Sequence, residues 1–150
     1  MATFPSLNWF EALRRAMLAH VERYRQIGGA EVIVVPTIAF PDGRVERYAL
    51  IFEANDRVAV KQVASADEVA GPRLVIEGHY AVWREMVENI LNHGRADLQH
   101  TLNFLTLSDW PLRVTGDGGH DLSVDRFYRH QESLQEFFNE AAAVATEFAA

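Results

Sequence analysis

The chain has 150 residues, 49% of them hydrophobic, and a formal net charge of −7. That is sequence enough for one domain, residues 1–150, able to bury roughly 70% of the surface its unfolded chain exposes, so no disulfide or metal staple is required. Cysteine is absent, which removes disulfides, thiolate nucleophiles and cysteine metal sites, and the acidic balance disfavours nucleic acid and anionic membranes as partners.

The start, Met1 to Pro5, lacks the basic-then-apolar pattern of a signal peptide, and no apolar run approaches a membrane span. A cytoplasmic protein without stable membrane insertion is the expectation. Asn8 with Glu11 reads as a capping box, with Ser6 as a competing cap. Phe10, Leu13, Met17, Val21 and Tyr24 then recur every three or four residues as one helical stripe, up to Gly28-Gly29. Arg14, Arg15, Arg23 and Arg25 are interleaved with Glu22 and read as the solvated face of that helix.

Strands follow. Val32 to Phe40 is rich in β-branched residues, but Pro36 removes a ladder donor and predicts an edge or bulged strand. Pro41-Asp42-Gly43 is a turn, since proline presets φ and glycine accepts a positive one. Val45 to Ala54 is the next strand, with Tyr48, Leu50 and Phe52 on one face; Asn55-Asp56 turns the chain, and Val58 to Val63 returns. The three form an antiparallel meander. After a polar loop, Arg73 to Glu77 is a short strand that Gly78 breaks.

A helix starting at His79 or Tyr80 carries Trp83, Met86, Val87, Ile90 and Leu91 as its apolar face and ends at Asn92-His93-Gly94. The spacing of Leu98, Leu102 and Leu105 predicts another helix from Asp97 towards Leu107, broken by Asp109-Trp110-Pro111. Leu112 to Thr115 is a last short strand and Asp117-Gly118-Gly119 a turn. A final helix is expected from Ser123, with Phe127, Leu134, Phe138, Ala141, Ala145 and Phe148 inward. Strands grouped together and flanked by helices argue for α+β rather than doubly wound α/β.

Catalytic patterns fail in turn. The six histidines do not form the paired helical spacing of zinc hydrolases. Asp117, Asp121, Ser123 and Asp125 lack the glycine and closing glutamate of a calcium loop, and read as turn residues and helix-start carboxylates. There is no nucleophile elbow and no phosphate-binding glycine loop after a strand. No metal and no cofactor are expected.

Two segments carry a resemblance. Leu74 to Trp83, a strand ending in a small residue before a helix with an early tryptophan, resembles the sterol-carrier-protein family. Leu112-Arg113-Val114-Thr115-Gly116-Asp117 is similar to that family's later strand. The order of elements agrees along nearly the whole chain. The resemblance implies a five-stranded, mostly antiparallel sheet covered by helices, with an apolar tunnel between the two. It implies non-catalytic binding or transfer of a sterol, fatty acid or acyl-coenzyme A ester. Under it, the pocket walls are Trp83, Met86, Val87, Ile90, Leu102, Leu105, Trp110, Phe127, Leu134 and Phe138; the bland alternative is that these pack the core.

Two other readings stand beside it. A ligand-free interaction module would pack its alanine-rich end, Ala141 to Ala143, on a partner or a second copy as a homodimer. A small-pocket enzyme would need an acid and a histidine inside the cavity, and Glu77 and His79 are the first suspects.

Overall fold

Period-two alternation sorts the side chains of the β-branched segments into two layers, and the sheet follows from it. The computed structural model describes residues 1–53, 57–116 and 120–149. A short strand β1 (Ala2–Phe4) leads into helices α1 (Leu7–Leu18) and α2 (Val21–Gln26). The strands β2 (Val32–Ala39), β3 (Val45–Glu53), β4 (Arg57–Val63), β5 (Arg73–His79) and β6 (Arg113–Gly116) form one five-stranded sheet in the order β4-β3-β2-β5-β6. Between β5 and β6 lie α3 (Tyr80–His93) and the short α4 (Leu102–Leu105). After β6 come α5 (His120–Asn139) and a last strand, β7 (Thr146–Phe148). The pairing β2–β5 is parallel and the other three in this sheet are antiparallel. The fold is the expected α+β with a mixed, mostly antiparallel sheet.

The inner face presents Val34, Ile38, Tyr48, Leu50, Leu74 and Ile76, all buried beneath the helices. On the outer face Val35, Ala49 and Val63 form a second, smaller cluster with Val69, from the connection between β4 and β5. At the β2 C-terminal end, the outer face carries a surface cleft flanked by Trp110 and Pro111.

Several local expectations change. β2 is the central strand, not an edge. Its ladder with β3 skips Val35 and Pro36 and resumes at Thr37 in unchanged register, while β5 pairs continuously from Ile33 to Ala39. The proline's missing donor is thus confined to two rungs. Gly78 does not break its strand; it pairs with Ile38, and β5 continues to His79. Its bareness serves packing, because a Cβ there would lie 2.3 Å from Cδ2 of buried Leu112 and 3.2 Å from the Pro111 carbonyl oxygen.

The first helix is capped by Ser6, whose side chain accepts the Trp9 N–H at 3.1 Å, rather than by Asn8. It also breaks at Ala19-His20 without a proline or glycine. The break lets His20 and Arg23 reach the buried carboxylate of Glu140 while Tyr24 stays buried. The expected helix from Asp97 is divided, because Thr101 takes extended angles and caps the short α4. α5 starts at His120, so Ser123 lies within it and is buried instead of capping it. The helix ends at Asn139, and Ala141 to Ala143 belong to a separate 3-10 turn in which Ala141 is buried. The turns expected at Asn55-Asp56 and at Asp117 to Gly119 lie outside the described residues.

Both ends of the chain meet. β1 and β7 pair in parallel, and the buried Trp9 indole N–H donates to Thr146 Oγ1 at 3.1 Å. These close fits have measurable consequences for stability. Thr146→Val leaves a buried donor unpaired and should cost about 1–3 kcal/mol in urea or thermal unfolding, whereas Thr146→Ser should restore most of it. Gly78→Ala forces Leu112 aside and should cost roughly 1–3 kcal/mol by the same measurement.

Candidate functional site

Helical spacing of three and four residues turns Trp83, Met86, Val87 and Ile90 of α3 onto the inner face of the sheet. α4 adds Leu102 and Leu105, and α5 adds Phe127, Leu134 and Phe138. These nine are buried in one core cluster. The tenth expected wall residue, Trp110, is apart from them: it is 71% exposed on the loop before β6. Phe104 of α4 also faces outward. The surface carries clefts of about 310 to 630 Å³, and none of the five draws its lining from these nine residues.

Inside this apolar interior, among the described residues, Nε1 of Trp83 and the hydroxyl of Tyr24 have no partner. An unsatisfied buried donor costs about 1–3 kcal/mol, so such atoms call for an explanation. Burial, and secondarily the carboxylates of Glu140 and Glu136, push the Tyr24 hydroxyl far above the ordinary phenol value, so it remains a protonated donor. Glu140 itself is buried, with His20 Nδ1 at 3.0 Å and Arg23 Nη1 at 3.2 Å. Periodicity marks Tyr24 only as a stripe residue. Nothing in the local sequence distinguishes Trp83 as an unpaired donor, because its isolation depends on what the other helices bring near it.

The connection between α3 and α4 is held by a polar clasp. Asn89 Nδ2 donates to Asp97 Oδ2 at 2.9 Å, and the Asp97 backbone N–H donates to Asn89 Oδ1 at 2.9 Å. Asp97 Oδ1 lies 2.6 Å from His100 Nδ1. Gln135 Oε1 of α5 accepts the Leu102 N–H at 2.7 Å. The clasped segment is apolar on both sides: Leu102 and Leu105 face in, while Leu98, Phe104 and Leu107 face out. Where it meets α5 there is a seam of about 380 Å³, lined among others by Ile27, Leu98, Asn103, Gln131 and Gln135. Asn103 Oδ1 is buried there without a partner.

Glu77 and His79 do share a face of β5, because the strand runs that far. That face is the outer one. They line a surface cleft with Thr37, Arg113 and Trp110 rather than the interior, so they do not supply an acid and a histidine to an enclosed cavity. Among the described residues, no group of three or more metal-ligating side chains is placed to hold an ion, and no helix is long and apolar enough to cross a membrane.

No family model and no curated protein matches the sequence. Solved structures do match in shape. A crystal structure of sterol carrier protein 2 superposes with a TM-score of 0.66 at 16% identity, covering 93% of this chain and 98% of that one. The solution structure of a conserved hypothetical protein from Thermus thermophilus, described as a candidate sterol carrier protein, superposes with a TM-score of 0.60 at 18% identity, covering 95% and 90%. The fold is sterol-carrier-protein-like across nearly its full length.

The clasp is pH-dependent in a defined sense. The Asp97 side-chain bond, with a smaller effect from Glu85, raises His100 above the ordinary imidazole value. Bonds from His100 and Asn89 hold Asp97 below the ordinary carboxylate value. A raised histidine contributes fully below its unfolded pKa and loses that contribution as pH rises through the folded one; a lowered aspartate contributes above its unfolded pKa and loses it as pH falls through the folded one. The segment is therefore held best between the two. An NMR titration should find His100 titrating above the ordinary imidazole range, and Asp97→Asn should return it towards that range.

Proposed function

We propose that the protein binds and carries an apolar ligand of the fatty acyl or sterol type between the sheet and the helices α3, α4 and α5, without catalysis. The walls are Trp83, Met86, Val87, Ile90, Leu102, Leu105, Phe127, Leu134 and Phe138. The observation that carries this reading is the unpartnered Trp83 Nε1, a hydrogen-bond donor kept dry among these side chains. A ligand with an apolar body and one oxygen satisfies it: the body replaces the side-chain contacts and the oxygen accepts the indole N–H. The sterol-carrier-like fold supports the same reading.

None of the five surface clefts opens onto these walls, so the ligand enters by parting elements packed around them. The clasped Asp97–Leu105 segment is the one suited to move. It is short, its outward side chains include the apolar Leu98 and Phe104, and its seam with α5 holds the unpaired Asn103 oxygen. Energetically the exchange is feasible. Each buried methylene contributes about 0.8 kcal/mol, so a ten-carbon chain gains roughly 8 kcal/mol, against which stand immobilisation and the opening of the interior.

Titration with a fluorescent fatty acid and a fluorescent sterol should give saturable binding at one ligand per chain. Trp83→Phe keeps the apolar wall and removes the donor. It should weaken binding of the fatty acid by about 0.5–1.5 kcal/mol while leaving a purely hydrocarbon probe unchanged. If no acyl or sterol probe binds, the reading is wrong.

A further inference from the structure

The outer face of the sheet carries a different site. Its floor is a register row running across four strands: Arg47 opposite Thr37, Thr37 opposite Glu77, and Glu77 opposite Arg113. The next row brings Ala39 between Val45 and His79. Over this end of the sheet stand Trp110 and Pro111, and together they enclose a cleft of about 340 Å³. That is the size of a small-molecule pocket.

Three features define what fits. The indole of Trp110 is 71% exposed, whereas Trp9 and Trp83 are fully buried, so this large flat surface is left without cover. Leu112, two residues on, is wholly buried against Gly78 and fixes the loop that holds the indole. Finally, Glu77 and Arg113 are cross-strand neighbours, with side chains about 5 Å apart at their bases. No ion pair joins them, and neither side chain has another protein partner among the described residues. Glu77, an acceptor-only group, and Arg113, a donor-only group, therefore face the same cleft open to a ligand, with Arg47, His79 and Asp109 also in its lining.

We infer that this cleft binds a zwitterionic aromatic α-amino acid, with the carboxylate on Arg113, the ammonium on Glu77 and the ring against Trp110 and Pro111. The two charged groups of an α-amino acid sit on one carbon, so adjacent strands can take one each. The side chain then points along the sheet to the exposed indole, where an offset or edge-on ring contact is favourable. A compound bearing one of the two charges leaves the opposite protein charge unmatched in the cleft. This site lies on the opposite side of the sheet from the proposed apolar interior and does not depend on it.

The test uses the full chain, labelled with ¹⁵N, and three probes that differ in one group each: L-phenylalanine, 3-phenylpropionate, which lacks the ammonium, and phenethylamine, which lacks the carboxylate. L-Phenylalanine should shift the resonances of Glu77, Arg113 and the Trp110 indole in a saturable way. It should bind about tenfold more tightly than either single-charge probe, as expected for a charge-assisted hydrogen bond. Arg113→Gln should remove the advantage over phenethylamine, and Glu77→Gln the advantage over 3-phenylpropionate. Trp110→Ala, at an exposed position, should abolish all three while leaving the melting temperature and fatty-acid binding unchanged. Equal binding of the three probes, shifts confined to other residues, or no shift at millimolar L-phenylalanine overturns the assignment.

Discussion

Phe10 is the joint on which the structure turns. Its ring meets Trp9 at 5.0 Å, Tyr48 of β3 at 4.8 Å and Phe138 of α5 at 6.2 Å. From Phe138 the chain of rings continues to Trp83 of α3 at 5.9 Å, and from Trp9 back to Phe4 at 4.6 Å. The N-terminal helix, the sheet, and the two long helices are thereby packed through one set of aromatic contacts. Aromatic pairs contribute beyond their buried area; the contacts Phe4–Trp9, Trp9–Phe10 and Phe10–Phe138 are edge-on, while Phe10–Tyr48 and Trp83–Phe138 are tilted. Because Phe4 lies in β1, the same chain of rings ties both termini, through β7, to the centre of the molecule.

That aromatic centre divides the interior into two differently packed halves. The N-terminal half of the interior is fixed by ring contacts and by the Trp9–Thr146 bond. The other half is lined by Met86, Ile90, Leu102, Leu105 and Leu134, aliphatic side chains without directional contacts, and is closed by a four-residue helix. Flexible apolar side chains repack at lower cost than interlocked rings. Trp83 sits at the boundary, with one face in the ring chain and its N–H unspent. The clasp of Asn89, Asp97 and His100 holds the connection that closes this aliphatic half.

The opposite face of the sheet follows a different rule. Only part of it is covered, by Val69 and its neighbours on the β4–β5 connection. Where that cover ends, Thr37, Glu77 and Arg113 come into one row, and the loop pinned by Leu112 leaves Trp110 beside them. A single sheet thus separates a dry interior from a charged cleft, with Gly78 permitting the close approach that shapes both.

The alternation in β3 and the stripes of α3 and α5 depend on neighbours in sequence, so the fold class, the meander and the burial of nine of these apolar residues were legible from the residues alone. Ser6 could not be separated from Asn8 as a cap, because both offer the same chemistry within two positions. The centrality of β2 was not legible: Pro36 argues for an edge in any local reading, and only the parallel partner β5, supplied from further along the chain, makes a central position tolerable. Trp110 reads as one more apolar wall residue, yet its position is decided by Leu112, which takes the space beside Gly78 and leaves the indole outside. What local spacing determined was which side chains seek burial. Which of them find it, which donors go unpaired and which charges meet without pairing are products of tertiary packing, since each depends on atoms contributed by distant segments.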